Sequence, residues 1–91
     1  MPALDLDRGW DLHPLVSVRP EPFGALLYHF GTRKLSFLKD TTLLAIVRTL
    51  ADSSSARAAC TAVGIGESDL PRYQRALGTL AKSSMVVERA S

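Results

Sequence analysis

The chain has 91 residues, of which 46% are hydrophobic and 22% are charged, and its formal net charge is +2. This composition is too apolar for an intrinsically disordered protein, and the length fits one domain with a thin core. The single cysteine, Cys60, excludes an internal disulfide framework and a metal site built from several thiolates. Eleven basic residues nearly balance nine acidic ones, so charge alone does not indicate a nucleic-acid partner.

The N-terminal residues do not have the pattern of a targeting segment. Asp5, Asp7 and Asp11 lie where a secretory signal would have a basic start and an apolar run. The longest apolar stretches of the chain are a few residues, which is too short to span a bilayer. We therefore expect a cytoplasmic protein with no membrane partner.

The chain begins with a polar, irregular region. We expect residues 1–13 to form a flexible arm, which Trp10 could pin, and residues 14–88 to form the single domain. A strand near Val16–Arg19 is expected to stop or to lie at a sheet edge, because prolines follow at positions 20 and 22 and proline cannot donate to a ladder.

Residues 23–39 have the pattern of a β-hairpin. Apolar side chains alternate onto one face before and after a turn, and we expect this face to build the core. These side chains are Leu26, Tyr28, Phe30, Leu35 and Phe37. The Gly31-Thr32 pair is typical of a two-residue type II′ turn, since glycine readily adopts a positive φ.

From Asp40 onward the apolar residues recur at helical spacing, which predicts three short helices. Asp40 or Thr41 can cap the first helix, and Ser53–Ser55 can cap the second, which Gly64 then ends. Ser68 can cap the third helix, at about residues 69–83. Met85-Val86-Val87 could form a final edge segment.

The predicted order is therefore β-β-β-α-α-α, in the α+β class. Three small strands with three short helices suit a winged helix-turn-helix-like domain, although other compact α+β arrangements fit the same order.

Residues that could carry catalysis are sparse and poorly grouped. His13 and His29 do not have metal-ligand spacing, and a strand histidine that faces solvent or a helix is the simpler interpretation of His29. Cys60 lies on an alanine-rich helix face, which favours a small buried hydrophobe over a nucleophile. We expect no enzyme activity, no metal and no cofactor.

The basic residues allow two interpretations. Lys34 and Lys39 flank the last hairpin strand, where they could discourage edge-to-edge aggregation or attract an extended peptide to the edge. Arg72, Arg75 and Lys82 lie on the third helix, which reads DNA in winged helix-turn-helix proteins. Three cations beside Glu67 and Asp69 make a modest phosphate-binding surface, so a solvated helix face is the simplest interpretation. Of the two possible partners, an acidic peptide is favoured over DNA.

The stretch from Arg19 to Lys39 also carries a resemblance. It reads RPEPFGALLYHFGTRKLSFLK. This run resembles the central signature of the mycofactocin peptide chaperones, and the similarity extends from about His13 to Val87. The motif is long and specific, and it names no catalytic residue.

The resemblance implies a fold and a function. The family is similar to the chaperone of pyrroloquinoline quinone synthesis, and both resemble the PqqD-like RiPP recognition element, a winged helix-turn-helix with three strands and three helices. Such a domain binds the leader of a ribosomally made precursor peptide as an added strand. In the mycofactocin system the chaperone delivers the precursor to a radical SAM maturase, which carries the iron–sulfur clusters; one cysteine cannot hold such a cluster.

Carried onto this chain, the resemblance places the docking edge on residues 34–39 and the neighbouring groove on the third helix. The implied peptide-binding residues are Lys34, Leu35, Ser36, Phe37, Leu38, Lys39, Arg72, Tyr73, Arg75, Ala76, Leu77 and Leu80. Tyr73 and Leu77 could equally belong to the core. The alternative function is a small winged-helix DNA-binding regulator, which would bind duplexes with a steep salt dependence.

Overall fold

The structure, a computed structural model, describes residues 4–89. It is a mixed α+β fold in which a three-stranded hairpin unit precedes three helices, and this confirms the predicted β-β-β-α-α-α arrangement. A short strand at each end of the described chain adds a second sheet. The strands are β1 (Trp10–Leu12), β2 (Val16–Glu21), β3 (Gly24–His29), β4 (Lys34–Leu38) and β5 (Val86–Glu88); the helices are α1 (Thr41–Thr49), α2 (Ala56–Val63) and α3 (Leu70–Lys82).

The main sheet is antiparallel and has the order β2-β3-β4. Val18 of β2 and Ser36 of β4 both lie opposite Leu27 of the central strand. The predicted edge position of the strand near Val16–Arg19 is confirmed, because β2 pairs with β3 alone within residues 4–89 and carries Pro20. Proline is tolerated there because an edge strand can spare a donor.

The predicted core face of the hairpin is wrong. The buried side chains of β3 are Ala25, Leu27 and His29, which have the opposite parity to the predicted set. The predicted residues lie on the other side of the sheet: Leu26 and Tyr28 are half-buried, and Phe30, Leu35 and Phe37 are 61%, 54% and 60% exposed. Because β3 is apolar at both parities, the period of two could not decide which face turns inward.

The turn of the hairpin also differs from the prediction. Residues 30–33 connect β3 to β4, so the loop has four residues rather than two. The positive φ belongs to Arg33, at 63°, and not to Gly31. The Arg33 N–H donates to the carbonyl of His29 at 2.7 Å, and Nδ1 of the buried His29 accepts hydrogen bonds from the N–H groups of Gly31 and Thr32. His29 faces the interior, and its two hydrogen bonds hold the backbone of the turn.

Residues 4–12 belong to the packed domain and not to a separate arm; residues 1–3 lie outside the described chain. Leu4 and Leu6 are buried, and β1 pairs antiparallel with β5. The predicted final edge segment is thus present as β5. Arg89 holds this small sheet to the helices, since its guanidinium donates to both carboxylate oxygens of Asp11 and to the carbonyls of Leu50 and Ser53.

Side chains and a glycine define the helix ends. Asp40 caps α1 by accepting the Thr42 N–H at 2.8 Å, and Ser55 caps α2 by accepting the Ala58 N–H at 3.0 Å. Gly64 ends α2 in the left-handed conformation, as predicted. The predicted Ser68 cap of α3 is wrong: Asp69 holds the N-cap position and its side chain makes no capping hydrogen bond.

The core lies between the inner face of the main sheet and the three helices. Its largest fully buried side chains include Leu27, Leu38, Ile46, Leu77 and Met85. No helix within residues 4–89 is long and apolar enough to cross a membrane; α3, the longest, has 13 residues.

Candidate functional site

The free edge of β4 is the candidate site. β4 pairs with β3 on one side, and within the described chain nothing pairs with its other side. In an antiparallel strand, alternate residues direct their N–H and C=O groups to opposite edges, so part of the β4 backbone faces outward with free donors and acceptors. Such an edge can accept an extended peptide as a further strand.

The side chains of β4 divide between the two faces of the sheet. Leu38 points inward and is 1% exposed, which fixes the strand to the core. Ser36 lies on the same helix-facing side, opposite Leu27, and is half-buried. Leu35 and Phe37 point to the opposite face, where both are largely exposed.

Two lysines mark the ends of this edge. Lys34 begins β4 and Lys39 follows its last residue, and both are exposed. Neither lysine forms an ion pair with a residue in the part of the chain that the structure describes. Both charges are therefore available to a partner.

The predicted residues of α3 separate into two groups. Arg72 and Arg75 are exposed and Ala76 is half-buried, so a ligand beside the helix can reach them. Tyr73, Leu77 and Leu80 are 5%, 1% and 6% exposed and belong to the core. Tyr73 and Leu77, which the sequence left open between core and groove, therefore belong to the core. These three side chains can hold α3 in place but cannot contact a ligand directly.

Asp40 and Tyr73 connect the end of the β4 edge to α3. The Tyr73 hydroxyl donates to Oδ2 of Asp40 at 3.0 Å, while Oδ1 of the same carboxylate caps α1. Burial raises the pKa of Asp40, but hydrogen bonds from Thr42 and Tyr73 outweigh this effect, and the pKa lies below its ordinary value. The carboxylate is ionised at neutral pH and holds the strand end, α1 and α3 together.

Arg72 is partly engaged by its neighbours. Its guanidinium lies 4.9 Å from the centre of the Tyr73 ring, 3.2 Å from the Tyr73 hydroxyl and 3.8 Å from Asp69. These contacts orient the charge near the junction of α3 with the β4 end. Arg75 forms no ion pair within residues 4–89 and is the freer cation of the two.

The structure shows an exposed apolar surface on the other side of the sheet that the sequence pattern did not predict. We name it the outer face and define it by Phe23, Leu26, Tyr28, Phe30, Leu35 and Phe37. The Tyr28 and Phe30 rings meet edge-on at 4.8 Å, and Phe23 and Phe37 lie 6.4 Å apart. Phe23, Phe37 and Lys39 line an open depression of about 450 Å³. The available signal was that both parities of the hairpin are apolar, so one set had to remain exposed.

The groups that could support catalysis are buried or dispersed. Burial raises the pKa of the Cys60 thiol, which makes it a poor nucleophile. The His13 and His29 rings lie 4.3 Å apart, centre to centre. Residues 4–89 contain no group of three or more His, Cys, Asp or Glu side chains that could hold a metal ion.

Comparison with known proteins gives the family. The model of the peptide chaperone MftB family matches residues 9–87, which include the main sheet, all three helices and the second sheet up to Val87. This chain belongs to the MftB peptide chaperone family. This chain is 62% identical over 85 residues to the peptide chaperone MftB of Mycobacterium tuberculosis, a match that covers 93% of this chain and 78% of the relative.

Further relatives agree with this assignment. The peptide chaperone MftB of Mycolicibacterium smegmatis is 55% identical over 85 residues, covering 93% of this chain and 83% of the relative. The similar protein of Mycobacterium ulcerans is 62% identical over the same length. These relatives are named as peptide chaperones, which agrees with a non-catalytic role for this chain. No solved structure matches it.

Proposed function

We propose that this chaperone binds the leader of the mycofactocin precursor peptide as an added strand on β4 and presents it to a radical SAM maturase. The observation that carries the proposal is the edge of β4 that no other described strand pairs with, which has an exposed lysine at each end. Membership of a peptide chaperone family makes a peptide the expected partner. Such a role belongs in the cytoplasm, where precursor peptides are made.

The proposed domain is a PqqD-like RiPP recognition element of the winged helix-turn-helix type over residues 14–88. Leu4 and Leu6 are buried in the same core and β1 pairs with β5, so the segment before residue 14 adds to this domain. The leader would contact the β4 backbone from Leu35 to Leu38, with alternate side chains on the two faces of the sheet. Side chains on the helix-facing side would meet Ser36 and the exposed part of α3.

Charge supports an acidic leader. Lys34, Lys39 and Arg75 have no ion-pair partner within the described residues. Arg72 lies beside the Tyr73 hydroxyl, which is hydrogen-bonded to Asp40 at the end of the β4 edge. Cations along an edge attract a partner of opposite charge and fix its register. The buried Tyr73, Leu77 and Leu80 would hold α3 in place beside the peptide.

The arrangement of α3 favours a peptide over the alternative, DNA. Arg72 is turned toward Tyr73 and Asp69, and Glu67 and Asp69 lie at the start of the helix. Few cations on α3 therefore remain free to neutralise the phosphates of DNA. A gel-shift assay at low salt should show no duplex binding; binding that weakens steeply with salt would instead support the regulator.

The test of strand addition is a proline scan of β4 with calorimetry on the synthetic leader peptide. Because neighbouring residues direct their N–H groups to opposite edges, Ser36→Pro and Phe37→Pro each probe a different edge. The variant that loses the free-edge donor should remain folded by circular dichroism and bind the leader about tenfold more weakly or worse, since tenfold corresponds to about 1.4 kcal/mol.

The matched control is Val18→Pro on β2, the opposite edge of the same sheet, because the Phe30 N–H donates to the Leu15 carbonyl and alternate β2 residues therefore face away from β3. A folded Val18→Pro variant should keep the wild-type affinity for the leader. If the folded proline variants of β4 also bind like the wild type, docking on this edge is wrong.

A further inference from the structure

The outer face is exposed in a way that the proposed leader site does not explain. The large hydrophobic side chains that are exposed within residues 4–89 are Leu15, Phe23, Phe30, Leu35 and Phe37. Phe23, Phe30, Leu35 and Phe37 belong to the outer face, where Leu26 and Tyr28 connect them across the sheet. A monomeric soluble protein rarely exposes a contiguous apolar patch of this kind without a partner.

The shape of the outer face differs from that of an edge. It follows the six residues of β3, which span roughly 20 Å at 3.3 Å per residue, and three strands are about 10 Å across. A leader strand added beside β4 lies in the plane of the sheet. It therefore leaves the middle of the outer face, at Leu26 and Tyr28, uncovered. The occupant of this face must lie on top of the sheet.

The charges at the border of the outer face that form no ion pair within residues 4–89 are of one sign. Arg33 and Lys39 are exposed there, and residues 22–39 contain no acidic residue. The acidic residue nearest in sequence before this stretch, Glu21, is already paired with Arg19 at 3.1 Å. A second copy of the chain would bring the same cations together around the apolar centre, and like charges oppose this contact. An apolar surface bordered by Asp or Glu side chains complements the outer face.

We propose that the outer face is a second docking surface, for a folded protein partner whose contact surface is apolar at its centre and acidic at its border. This inference rests on the proposed function, which supplies the partner to test: the radical SAM maturase. The chaperone then has two separate contacts, with the leader on the β4 edge and the maturase on the outer face. Both include β4, so the leader is held directly beside the maturase.

The test uses residues of the outer face that are not in β4. The double variant Phe23→Ser/Phe30→Ser removes one aromatic ring at each end of the face, where both side chains are already exposed and little stability is at risk. Its affinity for the maturase should fall at least tenfold by calorimetry, while its affinity for the leader peptide stays within twofold.

Charge reversal provides an independent test of the same surface. Arg33→Glu, at the border of the face, should also weaken binding of the maturase severalfold, whereas the matched reversal Arg48→Glu, on the exposed side of α1, should not. The double variant and Arg33→Glu are both compared with the wild type by circular dichroism.

Each other result contradicts the proposal in a distinct way. If the double variant loses the leader and keeps the maturase, the face belongs to the peptide. If sedimentation shows a wild-type dimer that the double variant dissociates, the occupant is a second copy. If the wild type binds the leader but not the maturase, the second surface fails and the peptide-binding function stands; if it binds neither, both fail.

Discussion

The hydroxyl of Tyr73 donates to Oδ2 of Asp40 at 3.0 Å, across 33 residues of sequence. This hydrogen bond joins α3 to the residue that follows the β4 edge and caps α1. A single carboxylate therefore sets the position of the third helix relative to the candidate docking strand.

Removing the Tyr73 hydroxyl should loosen this junction without creating a cavity. We expect Tyr73→Phe to lower the free energy of unfolding by about 1–2 kcal/mol, because a hydrogen bond to a charged group is lost at a partly buried site. Urea denaturation measures the change. In a double-mutant cycle with Asp40→Asn the two effects should be non-additive, and simple additivity would show that the hydrogen bond contributes nothing.

Asp11 should give the protein an acid-dependent stability. Its pKa is lowered by the hydrogen-bonded Arg89 guanidinium, so the folded state favours the ionised carboxylate more than the unfolded chain does. The stabilisation is complete above the unfolded value near 3.8 and is lost as the pH falls through the lower folded pKa. Asp11→Asn should therefore be destabilised relative to the wild type at pH 7, and the difference should shrink below pH 3.8.

Urea denaturation at a series of pH values follows this difference. Asp52→Asn is the matched control, since the Asp52 carboxylate is exposed and has no ion pair with a described residue. A constant difference between Asp11→Asn and the wild type down to pH 2.5 would contradict the pairing with Arg89.

His29 should contribute more to the stability of the fold than His13. Its Nδ1 accepts two backbone hydrogen bonds from the hairpin turn, at 3.0 and 3.1 Å. We expect His29→Ala to cost about 2–4 kcal/mol by thermal or urea unfolding, because it leaves two turn donors without their partner and opens a space in the core. His13→Ala, which removes one acceptor for the Leu15 N–H, should cost less; equal costs would contradict the role of the turn.

Lys39 should contribute to leader binding by charge. Lys39→Ala should weaken binding of an acidic leader about two- to fivefold, the range of an exposed ion pair worth up to ~1 kcal/mol, and the loss should diminish at high salt. Lys82→Ala, at the far end of α3, should leave the affinity unchanged. Calorimetry at two salt concentrations distinguishes the two variants, and equal losses would indicate a nonspecific effect of net charge.

Gly24 should be intolerant of a side chain. Its φ is +149°, and a Cβ there would lie 2.0 Å from the carbonyl oxygen of Leu38, the residue opposite Ala25 at the end of β4. Gly24→Ala must separate the two strands, and we expect a loss of more than about 3 kcal/mol or failure to fold. Gly66→Ala meets no atom within 4 Å and should fold normally by circular dichroism. A stable Gly24→Ala variant would contradict the close approach.

Local signals in the sequence account for much of the fold. Asp40 and Gly64 were predicted as helix boundaries because a capping carboxylate and a left-handed glycine act within a few residues of the backbone that they satisfy. Pro20 indicated an edge strand for the same local reason. The predicted type II′ turn failed because the interior contacts of His29, rather than the turn dipeptide, select the four-residue loop.

The long-range features of the candidate site were outside the reach of such signals. The contact between Asp40 and Tyr73 joins two elements that a sequence pattern treats separately. The burial of Leu4 and Leu6 depends on the same kind of distant packing, which is why the sequence predicted a flexible arm over residues 1–13. Leu77, an even choice between core and groove in the sequence, is assigned to the core only when α3 is packed.

The sequence by itself indicated the order of the hairpin strands and the three helices, several of their ends, the resemblance to a family and the strand proposed to bind a peptide, but not β1. Only the tertiary structure decided which face of the hairpin turns inward. In residues 24–30 both parities are apolar, so either face could be buried at similar local cost. The helices cover the face of Ala25, Leu27 and His29, and the aromatic side chains on the other face stay exposed.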